Sequence, residues 1–95
     1  MIEVTRRPGS DPLAFEVVVR EDDGESRHAV TLAAADFARL APKQTPERCI
    51  EAAFAFLLDH EPRQAILRRF DVAVISRYFP DFERELPRYL ADGAP

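Results

Sequence analysis

Tryptophan is absent, cysteine and methionine occur once each, histidine twice and glycine three times in 95 residues. Each shortage closes off a class of chemistry. A lone cysteine, Cys49, cannot build an internal disulfide framework, so the chain reads as a protein of a reducing, cytoplasmic setting. His28 and His60, far apart in sequence, give no zinc-ligand spacing with it, and no metal or other cofactor is expected. Gly9, Gly24 and Gly93 are isolated from one another, and none opens a glycine-rich strand-to-helix turn of the kind that cradles phosphate. The longest strongly apolar stretch, around Ala52 to Leu58, is far short of the roughly 20 residues that cross a bilayer. The opening MIEVTRRPGS has no apolar run after its charges, so neither a signal peptide nor a membrane association is expected. Lysine occurs only as Lys43 among many arginines, and alanine is abundant, which reads as a GC-rich bacterial coding bias and not as arginine chosen for phosphate.

The bulk composition fits one globular domain over residues 1–95: 46% apolar, 32% charged, and of a length that builds one modest core. A net charge of −4 disfavours non-specific binding to nucleic acid or to an anionic membrane, since both need a positive field.

Residues 1–33 read as β-sheet. Ile2 and Val4 alternate with Glu3 and Thr5, and the turn formers from Arg7 to Pro12 end that strand. Leu13, Phe15, Val17 and Val19 then point one way while Glu16, Val18 and Arg20 point the other. The acidic stretch Glu21 to Ser26 places Asp-Gly at the centre of a hairpin, and Arg27 to Leu32 returns as a third strand that begins with His28 at the sheet edge. The expected arrangement is a three-stranded antiparallel meander with one greasy and one wet face.

Residues 34–90 read as three to five short helices, which makes the fold class α+β, with 91–95 as a frayed tail. Phe37 and Leu40 turn inward from the first helix. Thr45-Pro46-Glu47 is a helix start with a capping hydroxyl, proline at the first helical position and an acid at the positive end of the dipole. The next helix, to about Asp59, has an apolar arc of about half its circumference, the mark of a central helix covered on two sides. Ile66, Leu67, Phe70, Val74 and Tyr78 continue at helical spacing after Pro62, with Asp71 placed to cap a second helix. Helix is favoured there over a β-branched strand at Val72 to Ile75. Phe82 to about Leu90 forms the last helix, interrupted or restarted by Pro87.

No catalytic constellation emerges, and an enzyme is not expected. Cys49, beside Ala53 and Phe56 on an apolar helix face, reads as a small core hydrophobe and not as a nucleophile for His28 or His60. The acidic turn lacks the register of a calcium loop. Arg6, Arg7, Arg20 and Arg27 on the sheet, or Arg63, Arg68, Arg69, Arg77 and Arg88 on the later segments, offer a nucleic-acid surface as the alternative function. Acidic residues interleaved among them argue for a solvated, ion-paired face instead.

The surplus lies between Phe70 and Leu90. Val72, Ile75 and Phe79 cannot face the same side as Phe70, Val74 and Tyr78, so one set fills the core and the other covers something else. Arg68, Arg69, Arg77, Tyr78 and Phe79 are the candidate interaction surface, because aromatics beside arginine are the composition of interface hot spots. The expected partner is another protein, or a second copy in a homodimer. The string Arg68-Arg69-Phe70-Asp71, Ile75 to Pro80 and Glu85-Leu86-Pro87 resembles small uncharacterised bacterial proteins over the C-terminal third, and that resemblance implies no activity, cofactor or site.

Overall fold

The computed structural model describes residues 1–92 as an α+β fold with a four-stranded mixed sheet. Strands β1 (Ile2–Arg7), β2 (Leu13–Glu21) and β3 (Gly24–Leu32) are antiparallel neighbours, and a short β4 (Arg69–Asp71) adds to β3 in parallel. The meander expected from the sequence is therefore present, but it is not the whole sheet. The alternation in β2 does what its pattern dictates. Phe15, Val17 and Val19 are buried on the inner face together with Val30 and Leu32 of β3.

The outer face is closed by charge. Arg20 pairs with Glu3 and, at 3.2 Å, with Glu25; Arg27 pairs with Glu25 at 3.4 Å and with Glu16 at 3.8 Å. Val18, the one buried apolar residue on this side, is flanked in register by Glu3 and Arg27. The stems of long charged side chains screen such a residue while their heads stay in water.

The hairpin between β2 and β3 turns on Asp22 and Asp23, one residue earlier than the sequence reading placed it. Gly24 opens β3 with φ +140°, a conformation that side chains rarely adopt, and a Cβ there would lie 3.4 Å from Nη2 of Arg63. Glycine is thus required by the backbone, while the arginine beside it would only be in van der Waals contact with a Cβ.

Helix α1 (Ala34–Leu40) has no capping side chain of its own at Ala33, and the carboxylate of Asp11, in the loop between β1 and β2, accepts the Ala34 N–H at 3.1 Å. Helix α2 (Pro46–His60) starts as its sequence requires, with the Thr45 hydroxyl accepting the Arg48 N–H at 3.1 Å. It buries residues around most of its circumference and is covered on two sides. Phe54 meets Phe70 of β4 and His28 of β3, with centroids 5.8 and 5.3 Å apart, whereas Phe56 meets Phe82 and Tyr89 of α4 (Phe82–Asp92) at 5.1 and 5.7 Å. Arg48 ties the same two helices by donating to the carbonyls of Tyr89 and Leu90 at 2.7 and 3.2 Å.

Three expectations need correction. The continuous helical spacing over 66–78 does not form a helix. Residues Arg63–Ala65 and Val72–Val74 are single 3-10 turns, β4 lies between them, and only α3 (Ile75–Tyr78) is α-helical. The strand is set by β3, whose open edge accepts Arg69–Asp71, and not by the β-branched residues at 72–75. Asp71 does act as a cap, accepting the Ala73 N–H at 3.0 Å, but the turn it caps is 3-10. Pro87 neither stops nor restarts α4, which runs through it to Asp92. Phe82, Leu86 and Leu90 are buried along one face and hold the helix across the missing N–H. Ala91 and Asp92 are helical, so that part of the expected frayed tail is ordered, and 93–95 lie outside the described residues.

Candidate functional site

The long segment between α2 and α4 builds a groove. The last turn of α2 contributes Leu57 and Glu61, and Pro62 then ends the helix. The first half of the segment lines it with Ala65, Ile66, Leu67 and Phe70 (the first wall) and the second half with Val74, Ile75, Tyr78 and Phe79 (the second wall), around a volume of about 340 Å³. Leu67 is 48% exposed and Tyr78 is 68% exposed, and these two are the large apolar side chains outside the N-terminal methionine that the described residues leave most open to water. Both line one groove.

Long-range polar contacts hold the first wall. Arg63 is only 7% exposed, and its guanidinium reaches across to the hairpin turn, 3.1 Å from Glu21 Oε1 and 3.2 Å from Asp23 Oδ1. Gln64 adds a bond to Asp23 at 3.0 Å, and the Asp23 carboxyl is held below its ordinary range chiefly by the Arg63 bond. His28 Nδ1 lies 2.7 Å from the Leu67 carbonyl, and Thr31 donates to Asp71 at 2.6 Å. The second wall leans on α2: Phe79 sits 5.8 Å from Phe56 and 5.5 Å from His60, whose ring stacks on Phe56 and donates from Nδ1 to the Phe56 carbonyl at 2.8 Å. Glu61 is the one carboxylate lining the groove, and burial pushes it above its usual range.

The five residues singled out by the sequence do not form one continuous patch. Tyr78 and Phe79 line the groove, Phe79 half-buried and Tyr78 exposed. Arg77 is exposed beside Tyr78. Arg69 is exposed on the strand face opposite Phe70, and Arg68 lines a neighbouring polar recess with Ser26, His28 and Arg63. The expected division of apolar residues is only partly observed. Val72 is buried in the core and Val74 and Tyr78 line the groove, but Ile75 and Phe70 do both. Phe79, grouped by spacing with the core set, serves both, because the backbone turns out of helix after Tyr78. Leu57, Ile66 and Leu67 were not singled out as surface residues. Their helical spacing made them look like core, and only the change of backbone geometry at 63–71 turns Leu67 outward.

The arginines separate into two populations. Arg6, Arg20, Arg27, Arg39, Arg48, Arg63 and Arg84 form ion pairs. Among the described residues Arg7, Lys43, Arg68, Arg69, Arg77 and Arg88 form none, and half of these six lie between Arg68 and Arg77. Of the four sheet arginines offered as a nucleic-acid surface, Arg6, Arg20 and Arg27 are thus already committed to carboxylates, and Arg7 is not.

The polar recess pairs a serine hydroxyl with an imidazole. Ser26 Oγ lies 2.8 Å from His28 Nε2. The Leu67 carbonyl can only accept, so Nδ1 carries the proton and Nε2 is free to accept the Ser26 hydroxyl. A serine nucleophile would use this tautomer. The electrostatics run against it. Burial holds His28 below its ordinary range, and Arg63 and Arg68 add to that effect, so the imidazolium that must form on proton transfer is opposed by two guanidinium charges. His28 is 2% exposed and acts as a strut between β3 and the groove wall, which corrects its expected place at the surface. Cys49 is fully buried and its thiol is pushed up to about 11 by burial, far from a reactive thiolate.

Among the described residues no group of three or more potential metal ligands comes together, and no helix is long and apolar enough to cross a membrane. No family model, no curated protein and no solved structure matches the chain.

Proposed function

We propose that this chain is a small non-enzymatic interaction module of the bacterial cytoplasm, and that the groove between α2 and the 65–79 segment receives another protein. One observation carries the reading: the exposed Leu67 and Tyr78 line the same groove, whose lining is apolar apart from Glu61. Large apolar side chains exposed together on a rimmed concave surface mark recognition sites. A phenolic ring with unpaired arginines nearby adds the composition of a binding hot spot.

A photo-crosslinking amino acid at position 78, used in cells, tests this. A discrete protein adduct is expected at 78, weakened by Leu67→Asp in the same chain and missing when the crosslinker replaces Lys43 in the loop after α1. An adduct of twice the chain's mass identifies the homodimer. Equal, diffuse labelling from both positions overturns the groove as a binding site.

A second reading, nucleic-acid binding, is favoured by Arg68, Arg69 and Arg77 alone. Three phosphate contacts give a shallow salt slope, near −2 on a log–log plot for single strands. Gel shifts at low salt that show no complex end that reading.

A further inference from the structure

We infer that the occupant of the groove is an acidic amphipathic segment: apolar side chains that enter between Leu67 and Tyr78, with carboxylates around them. This rests on the groove being the binding surface and adds the chemistry of what it binds. The volume of about 340 Å³ is at the small end of ligand pockets, enough for a few side chains of a peptide and small for a cofactor. The lining supplies one ionised group, Glu61, and burial already disfavours its charge, so the interior selects apolar groups.

The surroundings carry the sign. Residues 61–79 hold four arginines and two carboxylates, a net of +2, inside a chain whose total is −4. Of these, Arg63 is spent on Glu21 and Asp23, and Asp71 accepts from Thr31 and the Ala73 N–H. Arg68, Arg69 and Arg77 each sit one residue from a lining residue, Leu67, Phe70 and Tyr78 respectively, and make no ion pair among the described residues. Their backbone positions therefore adjoin the groove, with Arg77 beside Tyr78, Arg68 opening on the neighbouring polar recess and Arg69 on the strand face opposite Phe70. Elsewhere on the surface all the arginines except Arg7 and Arg88 are paired with carboxylates of the same chain. Here the neutralising carboxylates are left to be supplied from outside, which sets the partner's charge and its register along the groove.

The test uses three fluorescein-labelled synthetic peptides with identical leucine and phenylalanine spacing, carrying glutamate, glutamine or lysine at the other positions. Fluorescence anisotropy on the intact protein is expected to rank glutamate over glutamine by about tenfold at low salt, from three exposed pairs of ordinary strength, with lysine weakest. High salt should collapse the glutamate advantage. The triple variant Arg68→Gln, Arg69→Gln, Arg77→Gln should bring the glutamate peptide to the glutamine level, and Leu67→Ser with Tyr78→Ser should abolish binding of both. All five positions are exposed, and a thermal melt confirms that the variants fold. Equal binding of glutamate and glutamine peptides overturns the acidic partner and leaves the apolar groove standing. Binding of none of the three overturns both. Sedimentation showing a dimer that excludes every peptide gives the groove to a second copy, and an oligothymidine that displaces the glutamate peptide at equal concentration gives the arginines to nucleic acid. Either result overturns the inference.

Discussion

The outer face of the sheet and the groove face of the 61–79 segment draw on the same residue types and finish differently. On the sheet, Glu3, Arg20, Glu25, Arg27 and Glu16 form a closed chain of alternating charge over Val18. At the groove, arginines stand without carboxylates and Leu67 and Tyr78 stand without cover. The difference shows how to tell a solvated surface from a working one in a small domain. The composition of each is ordinary, and what separates them is whether the charges and the apolar groups have been satisfied within the chain. A surface left unsatisfied has a cost in solubility that a protein tolerates where a partner provides the missing groups.

The comparison breaks most severely at Phe56, which supports the groove's second wall through Phe79 and also packs on Phe82 and Tyr89. Phe56→Ala should cost about 3–5 kcal/mol in urea denaturation, close to the whole stability of a domain this size. Removal of the tie between the two regions comes next. Arg63→Ala withdraws a buried guanidinium from Glu21 and Asp23, with an expected loss of about 2–3 kcal/mol. Arg63→Met, which keeps the stem, should recover part of it. If both variants melt like the wild type, the groove wall does not depend on the hairpin.

A smaller effect is expected from acid. His28 in the folded protein titrates below its ordinary value of 6.5, so the unfolded chain takes up a proton first as pH falls. Stability is therefore full near neutral pH, begins to fall as pH drops through 6.5, and stops falling from this source once the folded-state imidazole is itself protonated. Denaturation curves between neutral pH and about pH 5 should show this slope in the wild type and lose it in His28→Gln. The smallest effect should come from the groove surface. Leu67→Ser with Tyr78→Ser should leave stability within about 0.5 kcal/mol, since both side chains are largely in water already. A loss of more than about 2 kcal/mol would mean that these residues belong to the core, and the contrast between the two faces would dissolve.

Much of the scaffold is legible in the sequence because its signals are local. Thr45 and Pro46 announce α2, its wide apolar arc announces cover on two sides, and the alternation from Leu13 to Arg20 gives the faces of β2. The groove is legible only in part. Helical spacing sets Phe70, Val74 and Tyr78 apart from Val72 and so points to a second surface, but it places Ile75 and Phe79, which also line the groove, with the core. It does not show β4, a three-residue strand that exists because β3 has an open edge. Nor does it show His28 as buried, since the cover comes from Leu67, 39 residues later. The Arg63 contacts to Glu21 and Asp23 span 42 and 40 residues, and no local pattern encodes such a pairing.

β4 has a kinetic consequence. The hairpins of β1 to β3 close over short loops, but Asp71 meets Thr31 across a separation of 40 positions. Such distant pairings form late, and a strand of three residues at a sheet edge is among the first elements to open from the native state. The β4 wall of the groove is thus expected to open more readily than the hairpins. A ligand seated in the groove holds together the least cooperative part of the molecule, so occupancy would register as slower amide exchange at Ala29, whose N–H is bonded to Arg68, well beyond the atoms the ligand touches.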